Sequence, residues 1–305
     1  VTVVDTEAYA AFRDELLTAG LLVPLGADGL YGRSGRFEDV VDGVSRIVSG
    51  LGRADGATRV RFPPVEPRWV FERTDYLKSF PDLTGAVSSF SGGDADHALL
   101  LADAEAGLDW SRHLAPADVL LCPAVCHPLY PTIDGPLPAG GGRFDVCGWV
   151  FRHEPSIDPA RLQAFRQHEI VYVGDAAGAR AHRDLWVERG LEVLGGLGLD
   201  VQPVVANDPF FGRVGRMLAA NQRDEELKIE LVAEVASAER PTAILSSNCH
   251  EDHFGAAFDL RADDGSVAHS ACVGFGLERI TLALLRRHGL DIDAWPAATR
   301  DRLWP

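Results

Sequence analysis

The sequence predicts a mixed α+β protein, on three observations. Apolar stripes at helical spacing recur at residues 6–19, 37–51 and 181–197. Between them, short apolar or alternating runs at 59–65, 119–121, 146–151, 170–173 and 227–232 read as strands. A chain of 305 residues, 46% hydrophobic and 24% charged, is long enough to bury a sizeable core in one large domain or two small ones.

Charge narrows the partners. With 29 basic and 45 acidic side chains the formal charge is −16, so a polyphosphate backbone is repelled unless a local basic patch exists. No apolar run reaches the length of a membrane span. The first thirty residues carry Asp5, Glu7, Arg13, Asp14 and Glu15 instead of a basic and then apolar leader, so a cytoplasmic protein is expected. Five scattered cysteines, Cys122, Cys126, Cys147, Cys249 and Cys272, argue against a disulfide framework and leave buried thiols or metal ligands as the alternatives.

In chain order, the helix at 6–19 carries Ala10, Leu16 and Leu17 on its stripe and stops at Gly20. The second helix places Val40, Val41, Val44, Ile47 and Val48 inward and ends at Gly50 and Gly52, ahead of a strand closed by Pro63 and Pro64. Residues 68–121 hold Phe80-Pro-Asp-Leu, a turn-rich passage at 88–93 and a polar run with His97, Asp103, Glu105 and Asp109, but no sharp motif. A strand at 119–121 then delivers Cys122-Pro-Ala-Val-Cys126-His127-Pro128.

The stretch 147–174 is the most informative. An apolar strand runs into Arg152, His153 and Glu154; a loop and a helix-compatible run, 160–167, follow; His168 and Glu169 lead into a second apolar strand. Charges at the end of a buried strand cost free energy unless they are paired or meet a ligand. Arg152 and Glu154 lie on one strand face and can simply pair with each other; otherwise the two strands form a cradle for a phosphate and an amine.

Beyond it, the helix at 181–197 buries Leu185, Val187, Leu191 and Leu194. Residues 207–223 interleave Phe210 and Phe211 with Arg213, Arg216 and Arg223, which reads either as a solvated helix face or as a docking patch for an acidic partner. The tight run His250-Glu-Asp-His253 reads as a solvated or internally paired loop.

Three stretches carry a family resemblance. FRHE at 151–154 followed by FRQHE at 165–169 resembles motif 2 of the class II aminoacyl-tRNA synthetases, nearest to the seryl enzymes. Cys272-Val-Gly-Phe-Gly-Leu-Glu-Arg279, leading into an apolar helix, resembles motif 3. The helix, strand and prolines of 37–64 resemble motif 1, the family's dimer interface. The resemblance implies an antiparallel sheet flanked by helices, a catalytic domain over 36–305 preceded by an N-terminal extension at 1–35, and a homodimer. The long tRNA-gripping arm of seryl enzymes is expected to be absent, because Gly20, Pro24, Gly26, Gly29, Gly32 and Gly35 crowd the stretch ahead of the second helix.

Site roles follow from the same resemblance. Arg152 is expected to bind the α-phosphate of ATP, Glu154 the adenine amino group, and Arg279 the γ-phosphate, with Gly274 and Gly276 in the ATP site and Glu230 near ATP and its Mg²⁺. Ile170 stands where the family usually has a phenylalanine stacked on adenine. The loop at 122–128 resembles a seryl-enzyme loop in which Cys126 replaces a glutamate, and Ser246 to Phe254 resembles a run in which Cys249 has a counterpart that needs no metal.

A thiol at Cys126 becomes a good ligand once Zn²⁺ deprotonates it. Atypical archaeal seryl-tRNA synthetases and the bacterial amino acid:carrier protein ligases use a Cys, Glu, Cys zinc site, which implies Cys126, Glu169 and Cys272 here, with Cys122 as the competing first ligand. Such a centre keeps one position open for the α-amino group of a substrate.

The implied activity is ATP-dependent activation of a small amino acid and its transfer to the phosphopantetheine thiol of an acyl or peptidyl carrier protein. A truncated seryl-type tRNA synthetase is the second reading, disfavoured by the charge and the missing arm. A catalytically silent paralogue that senses an amino acid is the third.

Overall fold

The protein is described here from a computed structural model covering residues 3–206 and 226–305. Helix α1 (Val3–Thr18) leads through the hairpin β1 (Leu22–Ala27) and β2 (Leu30–Arg33) into the long helix α2 (Gly35–Ala54). Ser34 starts α2, its hydroxyl accepting the Phe37 N–H at 3.3 Å, and Glu38 in the first turn and Arg53 in the last suit the helix dipole.

Next come β3 (Thr58–Val60), β4 (Val65–Pro67), α3 (Arg68–Arg73), α4 (Tyr76–Ser79), β5 (Ala86–Ser89), α5 (Asp94–Glu105) and β6 (Ala115–Leu121). Then follow β7 (Gly142–Phe151), β8 (Ala164–Gly174), α6 (Ala176–Gly196), β9 (Gln202–Val205), β10 (Lys228–Ala233) and β11 (Thr242–Glu251). The last elements are α7 (His253–Phe258), β12 (His269–Gly276), α8 (Leu277–His288) and α9 (Ala297–Leu303). Among the described residues, no helix is long and apolar enough to cross a membrane.

The main sheet has the order β3-β7-β8-β12-β11-β10-β9, antiparallel except for the parallel pair β3–β7. This is the antiparallel sheet flanked by helices that the motifs imply, and a small sheet, β4-β6-β5, stands beside it. Because strand side chains alternate between faces, each strand of the main sheet serves two environments. Ile170, Leu231, Leu245, Val273 and Phe275 point to the face covered by α2, α6 and α8, where the largest core lies. Val146, Val171, Val173 and Cys272 point to the other face, against Leu129, Tyr130, Phe254 and Leu260.

Two glycines let helices approach that closely. A Cβ on Gly52 of α2 would lie 2.7 Å from Cδ1 of Ile170, and one on Gly190 of α6 would meet Leu245 at 2.7 Å and Leu231 at 2.8 Å.

The structure departs from the sequence expectations in three places. The run 160–167 is not helical: β8 already begins at Ala164, paired with Phe151, because ladder pairing with β7 outweighs the helix propensity of Ala, Arg, Leu and Gln. The strand expected at 59–65 is two, β3 and β4, separated at Pro63 and Pro64, which have no N–H to offer a ladder. His250 and Glu251 belong to the end of β11 and not to a loop.

Candidate active site

The face of the sheet opposite the main core carries a row of polar side chains. Residues directly opposite one another on paired strands share a face, so Glu169 of β8 lies in line with Gly274 of β12, Ser246 of β11 and Glu230 of β10. Gln167 aligns in the same way with Gly276, and Val171 with Cys272 and Asn248. A Cβ at Gly274 would lie 3.5 Å from the Glu169 side chain, an ordinary contact, which places Gly274 directly beside that carboxylate.

Cys126 arrives from outside the sheet, at the start of the 3-10 turn His127–Thr132 that β6 feeds. One ligand atom each from Cys126, Glu169 and Cys272 lies within 4.8 Å of the others, and each residue is only 4% exposed. Cys122 is not in this group. Its thiol donates to the Ala124 carbonyl at 3.0 Å, and burial followed by the charge of Glu66 pushes its pKa up. Cys249 lies on the main-core side with Tyr172, Ala179, Leu227 and Ala271.

The triad stands ready for a cation. Contact with Cys272, then burial, then Glu169 hold the Cys126 thiol well above its ordinary range. Burial raises Glu169, outweighing the nearby donors and positive charges that lower it. The Cys272 thiol is pulled down by Cys126 but is raised overall by burial and Glu169. One carboxylate oxygen, Oε2 of Glu169, is buried with no hydrogen-bond partner, a costly arrangement that a metal ion removes. Two sulfurs and a carboxylate oxygen fit zinc by hardness and number, and leave a fourth position open. Around Cys272, the Asn248 amide donates to Sγ at 3.8 Å and Nε2 of His250 lies 3.6 Å from it, the kind of outer contact that steadies a thiolate ligand.

Next to the triad is a cluster of arginines. Nε of Arg152 donates to the carbonyl of Pro123 at 3.1 Å, inside the loop that carries Cys126. Arg279 is held by the carbonyls of Ala160, at 2.9 Å, and Ala243, at 3.0 Å. Burial first, and then the like charges of Arg161 and Arg152, hold its guanidinium below the usual range. The carboxylates of Glu154 and Asp158 lie among these cations and partly offset them. Glu154 pairs with Arg161 at 3.2 Å, and Glu230 with Lys228 at 3.1 Å.

One expected contact needs correction. Ile170 follows Glu169 and therefore points to the opposite face, where it is fully buried against α2 and is absent from the nucleotide side. An aromatic ring on the front face beside Arg152 is Phe165, whose centroid lies 5.7 Å from the guanidinium carbon. Counting by twos from Glu169 through Gln167 reaches Phe165, a signal available in the sequence. Arg161, Gln167, Asn248 and His250 were also missed, the last because a loop was expected there. Phe210, Phe211, Arg213 and Arg216 lie outside the described residues.

Solved structures with this architecture define the class. The seryl-tRNA synthetase of Methanopyrus kandleri, solved with a tRNA, superposes with a TM-score of 0.82 over 96% of this chain and 60% of its own, at 22% identity. The Pyrococcus horikoshii seryl-tRNA synthetase complexed with ATP gives 0.67 over 91% of this chain and 58% of its own, at 14% identity. The fold is that of the class II aminoacyl-tRNA synthetase catalytic domain, and the chain spans about 60% of the length of these structures.

Sequence similarity narrows the class. Amino acid–(acyl-carrier-protein) ligase 2 of Bradyrhizobium diazoefficiens is 43% identical over 289 residues, 94% of this chain and 86% of its own. Ligase 1 of the same organism is 40% identical over 301 residues, 98% of this chain and 92% of its own. The type-2 serine–tRNA ligase of M. kandleri is 28% identical over 200 residues, 60% of this chain and 37% of its own. No protein-family model matches the chain. The chain belongs to the amino acid–(acyl-carrier-protein) ligases, and it is a ligase.

Proposed function

We propose that the protein activates a small amino acid with ATP and passes it to the phosphopantetheine thiol of an acyl carrier protein, with residues 36–305 as the catalytic unit and 1–35 as its extension. The observation that carries this reading is the convergence of Cys126, Glu169 and Cys272 beside Arg152, in a chain 43% identical to a ligase of that name.

In the first step an oxygen of the amino acid carboxylate attacks the α-phosphorus of ATP, and pyrophosphate leaves. Arg152, Arg161 and Arg279 hold the triphosphate in line, and Glu230 would be the carboxylate to hold an accompanying Mg²⁺ that would offset phosphate charge. Phe165 packs on the base and Glu154 takes its amino group. In the second step the carrier thiol attacks the acyl carbon, AMP departs, and a thioester forms. Cys126, Glu169 and Cys272 would hold a Zn²⁺, which when bound would supply a Lewis acid for the substrate α-amino group. The side chains then aim the substrate carboxylate at ATP, a positioning task that asks for no side-chain nucleophile.

The protein is proposed to work as a homodimer in the cytoplasm. The helix, strand and prolines of 37–64, which resemble the family's dimer motif, support a homodimer, and a centre built on reduced thiols suits a reducing compartment.

The test is amino acid-dependent exchange of pyrophosphate into ATP, run with each amino acid in turn, followed by incubation with holo-carrier protein or tRNA. Exchange with a small amino acid and label on the carrier thiol are expected. Absence of exchange with every amino acid would point to a sensor, and label on tRNA to a synthetase.

A further inference from the structure

Between the metal triad and the arginines sits one amide. In the orientation that satisfies both neighbours, the Gln167 amide nitrogen donates to Oε1 of Glu169 at 3.1 Å and its oxygen accepts from Nη2 of Arg152 at 3.1 Å. The opposite orientation gains a bond of 3.4 Å from the Val125 N–H but sets oxygen against carboxylate and N–H against guanidinium, two charged mismatches against one neutral contact. The hydrogen bond to Oε1 ties down one oxygen of the Glu169 carboxylate, while Oε2 stays buried and unpartnered in the group that Glu169 forms with Cys126 and Cys272. Arg152 is tied a second time, through Pro123, to the loop that carries Cys126. The nucleotide arginine and the metal carboxylate therefore share a single side chain.

We propose that Gln167 is a positioning residue that couples the two halves of the site, so that metal at Cys126, Glu169 and Cys272 raises affinity for nucleotide at Arg152, and nucleotide raises affinity for metal. The proposal rests on the reading of these groups as a zinc centre and an ATP site. Its physical basis is geometric. A metal bound at Oε2 fixes the Glu169 carboxylate, Oε1 then fixes the amide, and the amide oxygen fixes Arg152 in the pose that meets a phosphate. An arginine held in its bound pose loses less rotamer freedom when the ligand arrives. Coupling of this kind is reciprocal in equilibrium binding.

The experiment measures binding of Mg²⁺ with adenosine 5′-(α,β-methylene)triphosphate, by calorimetry, to zinc-loaded and zinc-stripped protein. Wild type, Gln167→Leu and Gln167→Glu are compared, with zinc affinity taken from chelator competition. In wild type, zinc is expected to tighten the analogue by about fivefold or more, a typical coupling factor. Gln167→Leu removes both hydrogen bonds and brings that ratio to one. Gln167→Glu, nearly isosteric, keeps an acceptor for Arg152 and sets a carboxylate against Glu169. The new charge faces both Glu169 and Arg152 in place of a neutral bridging amide, so this variant too is expected to bring the zinc-dependent ratio to about one.

A wild-type ratio of one, or a ratio left unchanged in Gln167→Leu or in Gln167→Glu, would each overturn the coupling. A wild-type chain that takes up no zinc at all overturns the metal reading as well, which separates the two failures. Circular dichroism of the zinc-stripped variants controls for folding.

Discussion

The guanidinium carbon of Arg152 sits 5.7 Å from the ring centroid of Phe165, which places a cation and an aromatic face together at the edge of the proposed nucleotide site. Phe165 and Ile170 are therefore expected to respond differently. Phe165→Leu should raise the KM for ATP by about tenfold, the scale of one base–aromatic stack, and leave metal content unchanged. Ile170→Val should cost about 1 kcal/mol of stability through a core cavity and leave the KM for ATP alone. Exchange kinetics and denaturant melts on the two variants decide; equal KM values in wild type and Phe165→Leu would remove the ring from the site.

The five thiols divide in the same way. Cys272→Ala takes away a member of the triad and should abolish stoichiometric zinc, whereas Cys249→Ala, on the main-core side of the sheet, should retain about one zinc per chain. Elemental analysis after gel filtration reads both. Chelation of wild type should lower its melting temperature as well as its activity, because metal binding to the native state is linked to folding.

Arg279 reaches two backbone carbonyls, Ala160 and Ala243, from a partly buried position. Arg279→Met should reduce amino acid-dependent exchange by about a hundredfold, the loss expected for one donor to developing phosphate charge. Arg279→Lys should not restore it, since a point charge cannot serve both carbonyls and a phosphate. Recovery by lysine would show that charge alone suffices.

His182 supplies a pH signature. Its ring is buried, donates from Nε2 to the Ile170 carbonyl at 3.0 Å, and has its pKa lowered from 6.5 to about 4, chiefly by burial. The unfolded chain protonates this group first as pH falls, so its contribution is complete above 6.5 and is lost progressively toward 4. Across that window wild type should lose about 3 kcal/mol more than His182→Gln, in which an amide replaces the ring donor. Parallel stability curves for the two proteins would count against a neutral buried imidazole.

Much of the architecture was legible because apolar periodicity survives in the helices. Val40, Val44 and Val48 mark α2 regardless of what it packs against. The start of β8 was not legible, since Ala160 to Gln167 suits a helix until β7 is placed beside it. Helix α5 was obscured because Leu99, Leu100 and Leu101 are consecutive and give no stripe. The triad could be assembled only through the family resemblance. Its members sit on the loop after β6, on β8 and on β12, and no local spacing connects residues that only the sheet brings together. The bridging amide was hidden for the opposite reason: Gln167 stands one residue from His168 and two from Glu169, and adjacency in a charged run conceals which side chains face which way.

The pleat of β8 has a consequence for how the protein tolerates change. Phe165, Gln167 and Glu169 project toward the chemistry, while His168 and Ile170, interleaved with them, project into the interior. Substitutions at one set alter selectivity and rate, and those at the other alter robustness, so a single short strand offers two dials that turn separately. Loss of one residue between them would swap the sets and ruin both at once.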